Sequence, residues 1–137
     1  KSILEKKPIK VFNYGDVSRD FTYIDDAIES IIRLLKKPSK PDLNFYKFDP
    51  NPSTSWAPHM IFNIGNNKSI PIIDFINLLE KELGIDAIKE FKPMQPGDVK
   101  TTSADTNKIE TWTGFKPSTP LEIGIRNFVK WYLDFYK

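Results

Sequence analysis

Ser18-Arg19-Asp20-Phe21-Thr22-Tyr23-Ile24-Asp25-Asp26, a few residues beyond Gly15, is the segment on which the reading of this chain turns. From Ile24 onward, Ala27, Ile28, Ile31, Ile32 and Leu35 fall at i+3, i+4, i+7, i+8 and i+11, one apolar stripe at the helical period. Thr22 with Asp25 three residues on predicts a capping-box-like start, and Pro38 predicts the end. Upstream, Ile9-Lys10-Val11-Phe12 closed by Asn13-Tyr14-Gly15 reads as a strand and turn. Arg19 therefore stands just ahead of a helix N-terminus, and the stripe is expected to anchor that helix rigidly.

Working outward, residues 36–60 change in character, because five of the eleven prolines lie there among Ser, Asn and Asp. A loop of about 25 residues is expected, a length that is functional or mobile in most compact domains. Asp49, Asn51 and Ser53 have the oxygen spacing that opens a calcium loop, but Thr54 replaces the needed Gly and Met60 the bidentate Glu. Met60-Ile61-Phe62-Asn63-Ile64 reads as a strand covered on both faces. Ile72, Ile76, Leu79 and Leu83 predict a helix with Pro71 near its start and Gly84 just past its end. Ile88 to Met94 is a weaker strand, and Asp105 to Trp112 a short helix ended by Gly114. Thr119-Pro120-Leu121-Glu122 starts a last helix with Leu121, Ile125, Phe128, Tyr132 and Phe135 on one face. Three strands separated by about four helices give an α/β or α+β piece with too few strands for a complete sheet.

Composition excludes several functions. Zero Cys removes thiolate zinc sites, disulfides and Cys nucleophiles. Twenty Lys and Arg against 18 Asp and Glu leave a net charge of +2, spread along the chain, so a nucleic-acid partner is not expected. No apolar run approaches a membrane span and no signal peptide is present, so neither a membrane nor a secretory setting is expected. The glycines stand at 15, 65, 84, 97, 114 and 124, and no Gly-rich phosphate cradle can be written from them. The first residue is Lys, and Lys1 to Lys6 reads as the last turns of an amphipathic helix, which suggests a piece of something longer.

Candidate chemistry is sparse. His59, the one histidine, sits in the Pro-rich loop with no Ser or Cys poised beside it, and is expected to be exposed or to pack. Asp25 and Asp26 suit the positive end of a helix, while Glu80 and Glu82 are expected on the solvated side of theirs. Arg19 offers a planar fork of donors that suits an anion such as phosphate. A surface pair with Asp20 or Asp25 would explain the same residue, and on residue chemistry alone it is the plainer explanation.

The order of motifs shifts that balance. Ile9 to Asp16 followed by Ser18 to Asp26 resembles the substrate-domain signature of NAD-dependent nucleotide-sugar epimerases and dehydratases of the extended short-chain dehydrogenase/reductase family. Phe62-Asn63-Ile64-Gly65-Asn66 is similar to that family's late strand. Met94-Gln95-Pro96-Gly97-Asp98-Val99, Ala104-Asp105-Thr106 and Thr113 to Leu121 resemble the UDP-glucuronate 4-epimerase subgroup. The likeness runs in order over essentially all of the chain.

The resemblance implies that residues 1–137 are a single C-terminal substrate-binding fragment that binds a UDP-sugar. Arg19 would contact the diphosphate, Asp98 the ribose hydroxyls, and the backbone around Val11 and Phe12 the uracil. Gln95 stands where many relatives carry a second diphosphate Arg, as it does in the glucuronate subgroup. Phe21 and Tyr23 are expected to pack. Family catalysis uses NAD on an N-terminal Rossmann domain and a Tyr-x-x-x-Lys pair, and no Tyr here has a Lys four residues on. The resemblance thus implies no catalytic residue and no NAD bound by this fragment, which alone would be inactive. In the full enzyme it implies a missing Rossmann partner domain, a homodimer and a cytoplasmic location. Another nucleotide-sugar epimerase or dehydratase, or a non-catalytic interaction module, are the alternatives.

Overall fold

Three-residue strands are unstable alone, and this chain supplies its strands in pairs drawn from distant parts of the sequence. The computed structural model describes residues 1–136. Among them β1 (Ile9–Val11) pairs in parallel with β4 (Lys89–Phe91), and β2 (Ser18–Asp20) pairs antiparallel with β3 (Ser69–Pro71). Helices α1 (Ile24–Lys36), α2 (Ile72–Leu83), α3 (Asn107–Thr113) and α4 (Leu121–Phe135) complete a mixed α/β fold. The short 3-10 turn Phe12–Gly15 leads out of β1, as the Asn-Tyr-Gly sequence predicts.

The core is small and aliphatic: Ile3, Val11, Val17, Ile76, Ile109, Ile125 and Val129 are buried. Each such side chain contributes about 1.5–3 kcal/mol on leaving water. Helix α2 packs against α4, which buries Ile76 on one and Ile125 and Val129 on the other. Gly84 ends α2 in the left-handed conformation at φ 65°, and its N–H returns to the Glu80 carbonyl. From residue 37 to 68 the described chain forms no helix or strand apart from a single bridge between Thr54 and Met60, in agreement with the Pro-rich loop.

Several expectations fail for identifiable reasons. Met60 to Ile64 is not a strand: beyond the bridge at Met60, only the Ile61 N–H reaches back, to the Ser53 carbonyl at 3.0 Å, and no described strand lies beside it. An apolar run has strand geometry only when a neighbour completes its ladder. The stripe on α1 does not anchor the helix either, since Ile24, Ile28, Ile31, Ile32 and Leu35 are all exposed, Leu35 at 76%. The opposite face holds it. Ser30 is fully buried and donates to the Asp26 carbonyl, the Arg33 guanidinium lies 5.0 Å from the centre of the Phe115 ring, and Lys37 donates to the Trp112 carbonyl at 2.7 Å.

On α4 the buried side is turned toward Val129, so Phe128 and Phe135 face outward, where they stack with Trp131. Neither Thr22 nor Thr119 caps its helix through its side chain. The Asp26 carboxylate instead accepts the N–H groups of Ser118 and Thr119, at 3.1 and 2.8 Å, and ties the entry of α4 to α1. Residues from the two helices, together with Phe21 and Phe75, enclose an open apolar groove of about 680 Å³.

Glu80 and Glu82 are half-buried and paired, not freely solvated. Glu80 ion-pairs with Lys89 and accepts the Ala87 N–H at 2.6 Å, and Glu82 meets Arg126 on α4 at 3.5 Å. The Lys89 ammonium, then the Ala87 N–H, hold the Glu80 carboxyl below the ordinary glutamate range. A carboxylate with a lowered folded-state pKa adds stability in full above its unfolded value, about 4.3, and loses it as pH falls through the lowered value. Thermal unfolding followed by circular dichroism from pH 7 to pH 3 will show Glu80→Gln destabilised at neutral pH, with the gap to the unaltered chain closing in acid.

Candidate functional site

Strand β2 is the centre of the candidate site because it is flanked on both edges. Arg19 pairs with Ile70 of β3 on one side. On the other, the Ser18 N–H donates to the Lys100 carbonyl at 2.9 Å and the Thr102 N–H donates to the Ser18 carbonyl at 3.2 Å, in a short parallel bridge. This bridge brings the Gln95–Asp98 turn to Arg19. The turn closes through the Asp98 N–H on the Gln95 carbonyl at 3.2 Å.

The Arg19 guanidinium is fully oriented. Nη2 donates to Asp98 Oδ1 at 2.7 Å, and Nη1 donates to the Ser18 and Lys100 carbonyls at 2.9 and 3.3 Å. Of its five N–H donors, Nε–H and one on Nη2 have no acceptor among the described residues. Asp98 Oδ1 also accepts the Val99 N–H at 2.8 Å, so the carboxylate has a backbone hold of its own. Arg19 thus pairs with neither Asp20 nor Asp25 but with a residue 79 positions downstream. A second cation sits close by in sequence: Lys100 pairs with Asp16 at 2.7 Å in an exposed contact.

Asp20 performs a task that its sequence position did not disclose. Its carboxylate accepts three backbone N–H groups, from Asn66 at 2.9 Å, Asn67 at 3.0 Å and Ala104 at 2.9 Å. Its own N–H donates to Thr102 Oγ1 at 3.1 Å. Two loops are thereby pinned to β2 beside Arg19. Gly65 lies where they converge: a Cβ there would stand 2.4 Å from the Ala104 Cβ and 2.9 Å from Asp20 Oδ2. The small residues Gly65 and Ala104 flanking polar loops were the available sign of this close approach.

The other predicted residues lie apart from this pair. Val11 is buried in β1, where its carbonyl accepts the Lys92 N–H at 2.9 Å, and Phe12 begins the following turn. Gln95 is exposed, and among the described residues no hydrogen bond or ion pair joins its side chain, Val11 or Phe12 to Arg19 or Asp98. Phe21 stacks on Phe75 with centroids 4.4 Å apart, and the Tyr23 hydroxyl accepts from Asn127 at 3.2 Å; both residues line the apolar groove, which includes neither Arg19 nor Asp98. His59 is exposed, and no cluster of metal-ligating side chains occurs among the described residues.

The helix N-termini of the described residues are poorly suited to the phosphates of a dinucleotide. The first turns of α1, α2 and α4 carry Asp25 and Asp26, Asp74 and Glu122, charges that oppose a pyrophosphate at a helix N-terminus, and no Gly-rich turn precedes any of them. What the Arg19–Asp98 arrangement can do chemically is hold an anion next to a hydroxyl-bearing group.

The model of the NAD dependent epimerase/dehydratase family matches residues 1–65. Over all 137 residues the chain is 42% identical to protein CapI of Staphylococcus aureus, covering 41% of that protein. It is 38% identical to a probable UDP-glucuronate 4-epimerase of Rhizobium meliloti over 96% of this chain and 39% of the relative. Among solved structures it resembles UDP-glucuronic acid 4-epimerase from Bacillus cereus in complex with UDP-glucuronic acid and NAD, with a TM-score of 0.71 and 31% identity over 96% of this chain and 38% of the other. The chain therefore spans about two-fifths of the length of the relatives it matches.

If the Asp20 carboxylate pins both loops, Asp20→Ala will cost about 3 kcal/mol in urea unfolding, the scale of losing one or two charge-assisted bonds.

Proposed function

We propose, from its similarity to NAD-dependent epimerases/dehydratases, that the chain is the C-terminal substrate-binding part of a UDP-glucuronate 4-epimerase, the part that grips the nucleotide of the sugar. The observation that carries this reading is the Arg19–Asp98 contact: a guanidinium suited to a diphosphate and an acceptor-only carboxylate suited to ribose hydroxyls, 2.7 Å apart on a braced strand. Gln95, on the same turn, leaves the diphosphate with one arginine and favours glucuronate over glucose. Val11 and Phe12 supply the uracil contact from β1 and its turn. Binding energy spent on the nucleotide, remote from the reacting carbon, orients the sugar.

On this reading NAD and the catalytic Tyr and Lys belong to an N-terminal Rossmann domain. Two features favour such a partner. The isoleucine stripe of α1 is uncovered, and residues 61–64 keep the composition of a buried strand without a ladder. A helix face and a strand edge of this kind are what a sheet adding its last strand and covering helix would use. The full enzyme would be a cytoplasmic homodimer that interconverts UDP-glucuronate and UDP-galacturonate.

Titration with UDP, followed by the fluorescence of Trp56, Trp112 and Trp131, tests the grip. Arg19→Ala will weaken UDP binding by about tenfold or more, the loss of one charge-assisted bond or two. Equal binding by both proteins removes Arg19 from the site. The 137-residue chain alone will show no turnover of UDP-glucuronate and no NAD binding by calorimetry; turnover would place catalytic groups within it and overturn the assignment.

A further inference from the structure

The family resemblance implies that Arg19 and Asp98 meet two different parts of a ligand, and in the structure the two side chains form an ion pair with each other. Arg19 is three-quarters covered and Asp98 about two-thirds, so the pair sits at the rim of the site, within reach of solvent. The free guanidinium is in effect already neutralised. An anion that approaches its remaining donors, Nε–H and one on Nη2, also approaches the Asp98 carboxylate.

We propose that Asp98 is a specificity-determining residue of this grip, one that disfavours bare inorganic phosphate and diphosphate and admits a nucleoside diphosphate. The inference rests on the reading of Arg19 and Asp98 as the diphosphate and ribose contacts. Oδ1 of Asp98 stays fixed by the Val99 N–H when Arg19 turns toward a phosphate, so the carboxylate is not carried away from the site. Among the described residues Oδ2 has no partner. An inorganic anion therefore meets a like charge at close range. A nucleoside diphosphate brings its own donors, since the ribose hydroxyls can take both carboxylate oxygens as the arginine leaves. Discrimination comes from a charge that repels the wrong ligand and is satisfied by the right one. Lys100 does not cancel this charge, because its ammonium is paired with Asp16.

Calorimetric titration of the chain with inorganic diphosphate and with UDP, in the unaltered protein, Asp98→Asn, Asp98→Ala and Arg19→Ala, tests this. Asp98→Asn keeps an acceptor for Arg19 and Val99 and removes only the charge. It will bind inorganic diphosphate roughly fivefold more tightly, the size of one unit-charge interaction near contact in water. UDP will gain nothing or weaken, and the preference for UDP over diphosphate will shrink. Asp98→Ala will shrink that preference further, because it also loses the acceptor for ribose. Diphosphate affinity that is unchanged or lower in both Asp98 variants overturns the inference, as does a shift of the two ligands by the same factor. If Arg19→Ala abolishes binding of both ligands while the Asp98 variants keep the preference, this inference alone falls. If Arg19→Ala leaves both ligands bound, the underlying site assignment falls with it.

Discussion

Three backbone N–H groups from two separate loops converge on the Asp20 carboxylate, and the geometry around Arg19 follows from that convergence. A side chain can be held to a fraction of an ångström only if the backbone beneath it cannot slide. Here β2 is three residues long, too short to resist shear through ladder bonds alone. The carboxylate supplies the missing constraint through charge-assisted bonds, each stronger than a neutral one. It also explains why Gly65 and Ala104 meet almost in contact: the loops are drawn inward until the smallest residues touch. Arg19 and Asp98 are then neighbours because their backbones have no other place to lie.

How much of this was legible depended on whether the signal was local. Helices α1 and α2, and the ends set by Pro38 and Gly84, follow from periodicity and from the conformational limits of proline and glycine, which act within one turn. The strand expected at Met60 to Ile64 failed because a strand is a relation between segments, and composition describes only one of them. For the same reason β2 and β3 went unpredicted: Ser-Arg-Asp and Ser-Ile-Pro carry no alternation and exist as strands only through each other. The residues of the candidate site come from motif resemblance, and its wiring was illegible. Arg19 and Asp98 could be named from motif resemblance, but Asp20 was read as a possible ion-pair partner and is in fact a backbone clamp. Nothing in a nine-residue window distinguishes the two.

The surface divides along similar lines. Polar contacts knit the 98–104 segment to β2, while most of the large apolar side chains of α1 and several of α4 remain in contact with water. Here α1 is oriented by Asp26 and Arg33 on its opposite side, so its isoleucines are displayed by polar anchoring and are not the source of it.

The Arg19–Asp98 contact has another property, which comes from sequence separation. Arg19 meets its acceptors 79 and 81 positions later, and Asp20 its Ala104 donor 84 positions later. No early part of the chain can therefore assemble the site as it emerges during synthesis, and its formation reports that residues 18 to 104 have closed into one loop. Such closures make folding slow relative to locally wired helices. The intervening Pro-rich stretch from 37 to 58 contributes no atom to the Arg19 contacts, so a cut there would leave Arg19 and Asp98 on separate pieces held together only by non-covalent bonds, those of β2 together with the β1–β4 pair and the Asp26 contacts to Ser118 and Thr119.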